Sequence, residues 1–363
     1  MTDAPLFSPD EWLRYTRHIQ LPKFGVEGQT KLKQAHVLVV GSGGLGAPVL
    51  MYLAAAGVGK ITVFDGDKVE ITNLQRQVIF DSNDIGQSKA ICAVQRLNEL
   101  NPEIEIRAVA EFFSLENSRA AVADADIVLD CTDNFATRYL INDRCAELQT
   151  PWIFASIYQF SGQCALFVPG ETCFRCLFPE APKEVLDCNQ AGVIGVLPGI
   201  LGTIQATEAI KFLAGLPTPL KNHLLIFDAM DYSSRTIELA QNANCVVCVK
   251  KQGPAELKEF YTQHCTSDSS TELQLSTEEV RAGIDDYYLV DVRSQTERKA
   301  FNIGGMHLPM DGPDTQWDDL PPRKILCYCQ TGVRSTKVAE KLKAKGHTVY
   351  SLQGGLANWL TSN

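Results

Sequence analysis

No apolar run in the sequence is long enough to cross a membrane. A spanning helix needs about 18 or more apolar residues in succession. The longest candidate, Val193–Ile204, carries Pro198 and three glycines. The opening residues, MTDAPLFSPDEW, are acidic and have neither a basic leader nor an apolar segment behind it. No secretory signal is therefore expected, and the expected location is cytoplasmic, away from membranes. Basic charge is also scarce: 33 Lys and Arg stand against 43 Asp and Glu, a formal net charge of −10. Non-specific binding to nucleic acid relies on cations that neutralise phosphates, so nucleic acid is not an expected partner. A local basic pocket for one nucleotide remains compatible with this balance. Internal repeats and long low-complexity tracts are missing, which excludes solenoid and collagen-like chains. Cysteine, by contrast, is plentiful: there are twelve. In a cytoplasmic chain that number points to metal or thiol chemistry rather than disulfides. At ~100–200 residues per domain, the length predicts two or three domains.

Strand-like and helix-like stretches alternate from the start. Residues 35–40 (AHVLVV) form a β-branched run, followed by a glycine-rich turn and the apolar stretch 47–56. Residues 60–64 (KITVF) end in Asp65-Gly66-Asp67. A helix-like stretch at 88–100 precedes strand-like residues 104–109, and 126–130 (DIVLD) runs into Cys131-Thr132-Asp133-Asn134. Residues 151–155 and 163–168 are further strand candidates. This alternation predicts an α/β fold, a mostly parallel, doubly wound sheet. The pattern breaks after Cys248. Residues 250–272 lack an apolar period, and the Ser/Asp/Thr-rich latter part (TSDSSTE) reads as a flexible linker. A second, smaller α/β unit is expected over 273–363, with strands at 288–292, 324–328 and 348–352 and a helix from Ser335 to about Lys345.

Gly41-Ser42-Gly43-Gly44-Leu45-Gly46 follows a strand and opens a helix, matching G-x-G-x-x-G. Such glycines let a backbone turn tightly beside a pyrophosphate at the helix N-terminus. Asp65 lies 24 residues beyond Gly41, after the next strand, where an acidic side chain can take ribose hydroxyls. This pattern alone fits a dinucleotide or a nucleotide. Two cations that follow, Arg76 and Lys89, suit triphosphate oxygens. Asp133, at the end of the 126–130 strand, can hold Mg²⁺ through oxygen. No G-x-x-x-x-G-K-[ST] occurs, so a P-loop does not hold the phosphates.

Two C-x-x-C knuckles, Cys173-Phe174-Arg175-Cys176 and Cys245-Val246-Val247-Cys248, together meet the need of tetrahedral Zn²⁺ for four thiolates. Neither follows a thioredoxin-like strand, which counts against a redox pair. Cys188 lies in a polar loop between the knuckles and has no partner in this scheme.

Near the end of the chain, Cys329-Gln330-Thr331-Gly332-Val333-Arg334 follows a strand and precedes a helix. Such a loop can wrap backbone N–H groups around a sulfur. With the helix N-terminus and Arg334, it would lower a thiol pKa from about 8.5. The same cradle suits an oxyanion, but phosphatase loops have one more residue between Cys and Arg. Cys327, two residues earlier, is expected to face another direction and to belong to the core.

The separated motifs RYTRHI (Arg14–Ile19), GSGGLG, Asp65 and Asp67, NLQRQ, CTDN and the two knuckles resemble the ThiF/MoeB/HesA family, bacterial relatives of ubiquitin-activating E1 enzymes. The resemblance spans about residues 8–250. It implies a Rossmann-like, E1-type nucleotide-binding domain. The implied reaction is ATP- and Mg²⁺-dependent adenylation of the C-terminal glycine of a ubiquitin-like sulfur carrier, MoaD- or ThiS-like and ending in Gly-Gly. Carried over, Gly41, Gly43, Gly44, Gly46, Asp65 and Asp67 serve the nucleotide. Thr72, Asn73, Leu74, Gln75 and Arg76 line the phosphates and Lys89 the α-phosphate, while Asp133 with Asn134 serves the metal. Cys173, Cys176, Cys245 and Cys248 become a structural zinc site. Arg17 is the N-terminal arginine expected to reach a partner subunit's ATP, which implies a homodimer. Cys188 is either a site for a carrier thioester or sulfur transfer, or an ordinary loop thiol.

Residues from Tyr288 (YLVDVR) through the Cys329–Arg334 loop resemble a rhodanese domain, with Cys329 carrying a persulfide. Phe301-Asn302-Ile303-Gly304-Gly305-Met306 departs from the usual G-H-I-P-G-A of that domain. The domains expected are 1–249 for adenylation, 250–272 as linker, and 273–363 for sulfur transfer. The halves fit one chemistry: a carrier tail is activated with nucleotide, then attacked by sulfur supplied by a cysteine desulfurase or thiosulfate. Other readings are an NAD-dependent oxidoreductase with an accessory domain, and a scaffold presenting an inactive rhodanese. Molybdopterin, thiamine, cysteine and tRNA-thiolation pathways all remain open to the carrier.

Overall fold

Short β-branched runs form the centre of the first sheet, as their apolar character predicts. The computed structural model describes residues 5–180, 192–258, 261 and 273–361. The chain divides into two compact units, Met1–His264 and Cys265–Asn363. The strands of the first are β1 (His36–Val40), β2 (Lys60–Phe64), β3 (Glu105–Val109), β4 (Ile127–Asp130), β5 (Trp152–Tyr158), β6 (Ser161–Phe167), β7 (His223–Asp228) and β8 (Ser234–Glu238). They lie in the order β3-β2-β1-β4-β5-β6-β7-β8. Pairs from β3 to β5 are parallel, and those from β5 to β8 are antiparallel.

Side chains alternate across the sheet. Val37 and Val39 of β1 enter one core, and Leu38 and Val40 enter the other. Helix Gly46–Ala56 is apolar nearly all round and packs in the first core beside helix Leu197–Ala214. Helices Leu115–Ala123 and Phe135–Leu148 cover the other face. The doubly wound half matches the sequence reading. The antiparallel extension β7–β8 escaped it; every residue of β8 is exposed and leaves no burial period to read.

The first part of the expected linker is not free of the first unit. Leu257 is buried beside Cys173, Cys245 and Val247. The Tyr261 hydroxyl donates to Asp143 Oδ2 at 2.6 Å. The TSDSSTE stretch lies outside the described residues.

The second unit holds β9 (Gln274–Leu275), β10 (Tyr287–Asp291), β11 (Met306–His307), β12 (Lys324–Tyr328) and β13 (Val349–Leu352). All its pairs are parallel, in the order β11-β10-β12-β13-β9. Ile325 and Cys327 of β12 face one core, and Leu326 and Tyr328 face the other. Cys329 shares the core of Cys327. This corrects the expectation that the two cysteines face different ways: residues two apart on a strand share a face. Cys327 is nonetheless a core residue, and burial pushes its thiol pKa up.

Candidate functional site

β1 and β4 are neighbours at the centre of the sheet, with β2 outside one and β5 outside the other. Chains that leave β1 and β4 part there and open a crevice at the C-terminal strand ends. A cavity of about 370 Å³ occupies it. Gly41 turns out of β1 with φ +95°, and a Cβ there would lie 2.7 Å from the Cys131 carbonyl oxygen. At Gly46 a Cβ would lie 2.1 Å from the Gly41 oxygen. Only glycine fits either position, so the turn can sit against the end of β4. Ser42 donates from its N–H and its hydroxyl to Asp65 Oδ2, each at 2.8 Å, and Asp67 N–H donates to Asp65 Oδ1 at 2.9 Å. Asp65 thereby ties the glycine turn to the end of β2.

Gly41, Gly43, Gly44, Asp65, Asp67, Arg76, Lys89, Asp133 and Asn134 all line the cavity. Lys89 is nearly buried and its Nζ lies 3.1 Å from Asp67 Oδ2. The Arg76 guanidinium donates to the Thr72 carbonyl at 3.0 Å. Asp133 is exposed and makes no hydrogen bond or ion pair among the described residues. Asn134 caps helix Phe135–Leu148, accepting from Thr137 N–H at 2.9 Å.

Other expected nucleotide residues lie elsewhere. Gly46 sits under the turn. Asn73 is buried and accepts from Glu70 N–H at 3.1 Å. Thr72 donates to Glu70 Oε2, Leu74 packs on the core, and Gln75 is exposed. None of these four lines the cavity, so the run reaches it through Arg76 and Gln77. Gln77 was not singled out from the sequence; it is buried and its Oε1 has no partner among the described residues. Arg17 is exposed and off this cavity, whereas Arg14 donates to the Leu100 carbonyl at 2.9 Å. Asp130 and Arg138 were also missed. They form a buried ion pair at 2.8 Å, and Arg138 lines the cavity. The readable signal was an acidic strand end followed by a basic residue in the first turn of the next helix.

The knuckles come together. Sulfur separations are 3.8 Å for Cys173–Cys176, 3.7 Å for Cys173–Cys245 and 3.8 Å for Cys176–Cys248, and all four ligand atoms lie within 4.8 Å of one another. A tetrahedral zinc with Zn–S of about 2.3 Å needs sulfurs about 3.8 Å apart, so the donor set fits. The Cys173–Cys176 contact holds the Cys176 thiol pKa low and pushes that of Cys173 up. Between the cysteines, Arg175 makes a buried bidentate pair with Asp143, both bonds 2.7 Å, and lies 4.5 Å over the Tyr139 ring. Cys188 lies outside the described residues.

In the second unit Cys329 is fully buried at the end of β12. Its Sγ accepts from Gly332 N–H at 3.2 Å and Ser335 N–H at 3.4 Å, with the Ser335 hydroxyl at 3.5 Å. Leu356 and Ala357 N–H donate to the carbonyls of Cys329 and Gln330. Two of the loop carbonyls are thus satisfied from the last helix while the Gly332 and Ser335 amides are turned to the sulfur. Close approach explains Gly355, where a Cβ would lie 2.4 Å from the Cys329 oxygen. Arg334 faces both Glu297 and Cys329, and each raises its pKa, Glu297 the more. It makes a bidentate pair with Glu297 at 2.6 and 2.9 Å, which holds the Glu297 pKa down at about 2. The unusual Asn302-Ile303-Gly304-Gly305 turn is closed by Asn302 Oδ1, which accepts from Gly304 N–H at 3.0 Å.

Comparison with known proteins places both units. Residues 15–247 match the ThiF family and residues 276–362 the Rhodanese-like domain. The chain is 37% identical to the probable adenylyltransferase/sulfurtransferase MoeZ of Mycobacterium tuberculosis, over 98% of this chain and 94% of that protein. It is 44% identical to the sulfur carrier protein adenylyltransferase of Thermus thermophilus, over 70% of this chain and 97% of that protein. The crystal structure of E. coli MccB with ATP superposes with a TM-score of 0.58 at 28% identity, covering 65% of this chain and 74% of that one. No helix among the described residues is long and apolar enough to cross a membrane. With the glycine turn, the paired knuckles and the cradled cysteine in place, the chain belongs to the ThiF family and carries a rhodanese-like domain after its ThiF portion.

Proposed function

We propose that this enzyme adenylates the C-terminal glycine of a small ubiquitin-like sulfur carrier and then helps replace the activated oxygen with sulfur. One observation carries the reading: the glycine turn, two cations and an unpaired carboxylate share one crevice, in a chain that also holds a cradled thiol. Both the carrier carboxylate and the α-phosphate it attacks are anions. Arg76 and Lys89 reduce their repulsion and hold the triphosphate oxygens. Asp133 would hold Mg²⁺, which when bound neutralises phosphate charge. Asp65 orients the nucleotide through the turn. A carboxylate oxygen bonds to the α-phosphorus and pyrophosphate leaves.

Sulfur transfer follows from the second unit. The outer sulfur of a Cys329 persulfide attacks the acyl carbon and AMP departs. A first thiol attacks the Cys329 sulfur of the acyl disulfide that forms, releasing a thiocarboxylate on the carrier and leaving a mixed disulfide on Cys329; a second thiol then frees the Cys329 thiol as the disulfide of the two reductant thiols leaves. The four knuckle cysteines would hold Zn²⁺ as a closed structural site. Arg17, exposed as are Leu13 and Leu21, would act on the nucleotide of a second copy in a homodimer. The sulfur comes from a cysteine desulfurase or thiosulfate, and adenylation by residues 1–249 with sulfur transfer by 273–363 is the proposed division of labour, the intervening 250–272 being packed on the first unit at Leu257 and Tyr261.

The test is ATP–pyrophosphate exchange that depends on a carrier ending in Gly-Gly, followed by intact mass of that carrier after addition of a sulfur source. Exchange together with replacement of one carrier oxygen by sulfur is the expected result. Tight NAD binding without exchange would overturn the reading.

A further inference from the structure

Arg138 lines the cavity yet is nearly buried in its wall, and the chemistry above gives it no task. The residue is 4% exposed. Its Nε donates to Asp130 Oδ2 at 2.8 Å, and its Nη2 to the carbonyls of Thr132 at 2.9 Å and Ala155 at 3.2 Å. The rings of Phe154, Phe135 and Phe174 lie 4.9, 5.4 and 5.9 Å from the guanidinium carbon. Burying such an ion pair gains little stability over an apolar filling of equal volume. What it does provide is direction, because a planar fork accepts few arrangements of its partners.

Those partners converge on one residue. Asp130 Oδ1, the oxygen Arg138 leaves free, accepts from Thr132 N–H at 3.0 Å and from its hydroxyl at 2.6 Å. Thr132 is therefore gripped at its N–H by Asp130 and at its carbonyl by Arg138. The peptide planes on both sides of Thr132 are fixed, and the second of them leads into Asp133. Phe174 braces the arrangement from the knuckle, where its N–H donates to Asn142 Oδ1 at 2.9 Å.

We propose that Asp130 and Arg138 are a positioning pair that aims the Asp133 carboxylate at the metal–nucleotide, an inference that rests on reading Asp133 as the Mg²⁺-bearing residue. Groups that orient a ligand carboxylate without touching the metal change metal affinity by about 10–100-fold when removed. The experiment titrates ATP into the full-length chain by calorimetry, in EDTA and at stepped Mg²⁺. It compares the unmodified protein with Arg138→Lys and with Thr132→Val, the latter deleting one hydroxyl and leaving the buried pair whole. Both variants should need about tenfold more Mg²⁺ to reach tight ATP binding. Binding in EDTA should stay within about twofold of the unmodified protein, a split that a merely structural defect does not produce. Equal losses with and without Mg²⁺ would make Arg138 a direct nucleotide contact and overturn the proposal. An unchanged Mg²⁺ requirement in both variants would also overturn it. Failure of the unmodified chain to bind ATP would instead remove the nucleotide reading of the cavity, and the positioning role with it.

Discussion

Cys329 shows how a single sulfur is prepared. Two amides and a hydroxyl aim at it, so an anionic sulfur meets fixed donors with no further rearrangement. Cys329→Ser should abolish sulfur loading of the carrier while pyrophosphate exchange persists, measured on the same preparation. The Glu297–Arg334 pair beside this loop has a pH signature. Glu297 is held at about 2 from its ordinary 4.5 by the Arg334 hydrogen bonds, so its folded pKa is depressed. Its contribution to stability is full above 4.5 and is lost as pH falls towards 2. Both groups are about one-third exposed, so solvent screens the pair and the effect is modest. Acid titration of the second unit's unfolding should show this component, and Glu297→Gln should flatten it. An unchanged acid limb in the variant would place the pair outside the stability of the loop.

Two elements set the geometry of the first unit. The turn after β1 requires glycine at Gly41 because of its positive φ and the Cys131 oxygen below. Gly41→Ala should cost at least about 1–2 kcal/mol from the left-handed backbone alone. Thermal melting should fall by several degrees, and nucleotide binding should drop with it. The paired knuckles form the other element. Cys176→Ser should take bound zinc from about one per chain to near none. It should also lower the melting temperature, with metal content read by elemental analysis. Full stability without metal would show that the Arg175–Asp143 pair and Leu257 hold the knuckles unaided. At this scale much was legible in advance. Residues 36–40, 60–64 and 127–130 announced themselves as buried β-branched runs, and the glycine spacing located the turn. β8 did not, being exposed on every residue. The Asp130–Arg138 pair was hidden because charges at a strand end and in the next helix look solvated until the fold buries them. Asn73 illustrates the converse: a polar residue inside a nucleotide motif proved to be a buried cap of its own turn.

For the whole molecule, the proposed exchange of Arg17 between copies makes a sharp prediction. Arg17→Ala and Lys89→Ala chains should each fail in carrier-dependent exchange. Mixed and allowed to re-pair, half the dimers become hybrids with one intact site each, restoring about a quarter of full activity. No recovery from the mixture would confine Arg17 to its own chain. The early reading of residues 250–272 as one tether also changes at this scale. Leu257 and Tyr261 belong to the packing of the first unit, and both lie beside the knuckles or the Asp143 pair. Composition alone could not show this, since two anchoring side chains in a polar stretch carry no period.

The complete burial of Cys329 bears on how cargo is kept. A sulfur seated beneath its own loop is screened from collision with the small reductants of its surroundings. Loss to such bystanders then requires the loop to open, whereas a protein shaped to meet the loop can draw the atom out at the moment of handover. Closure of this kind would make delivery selective.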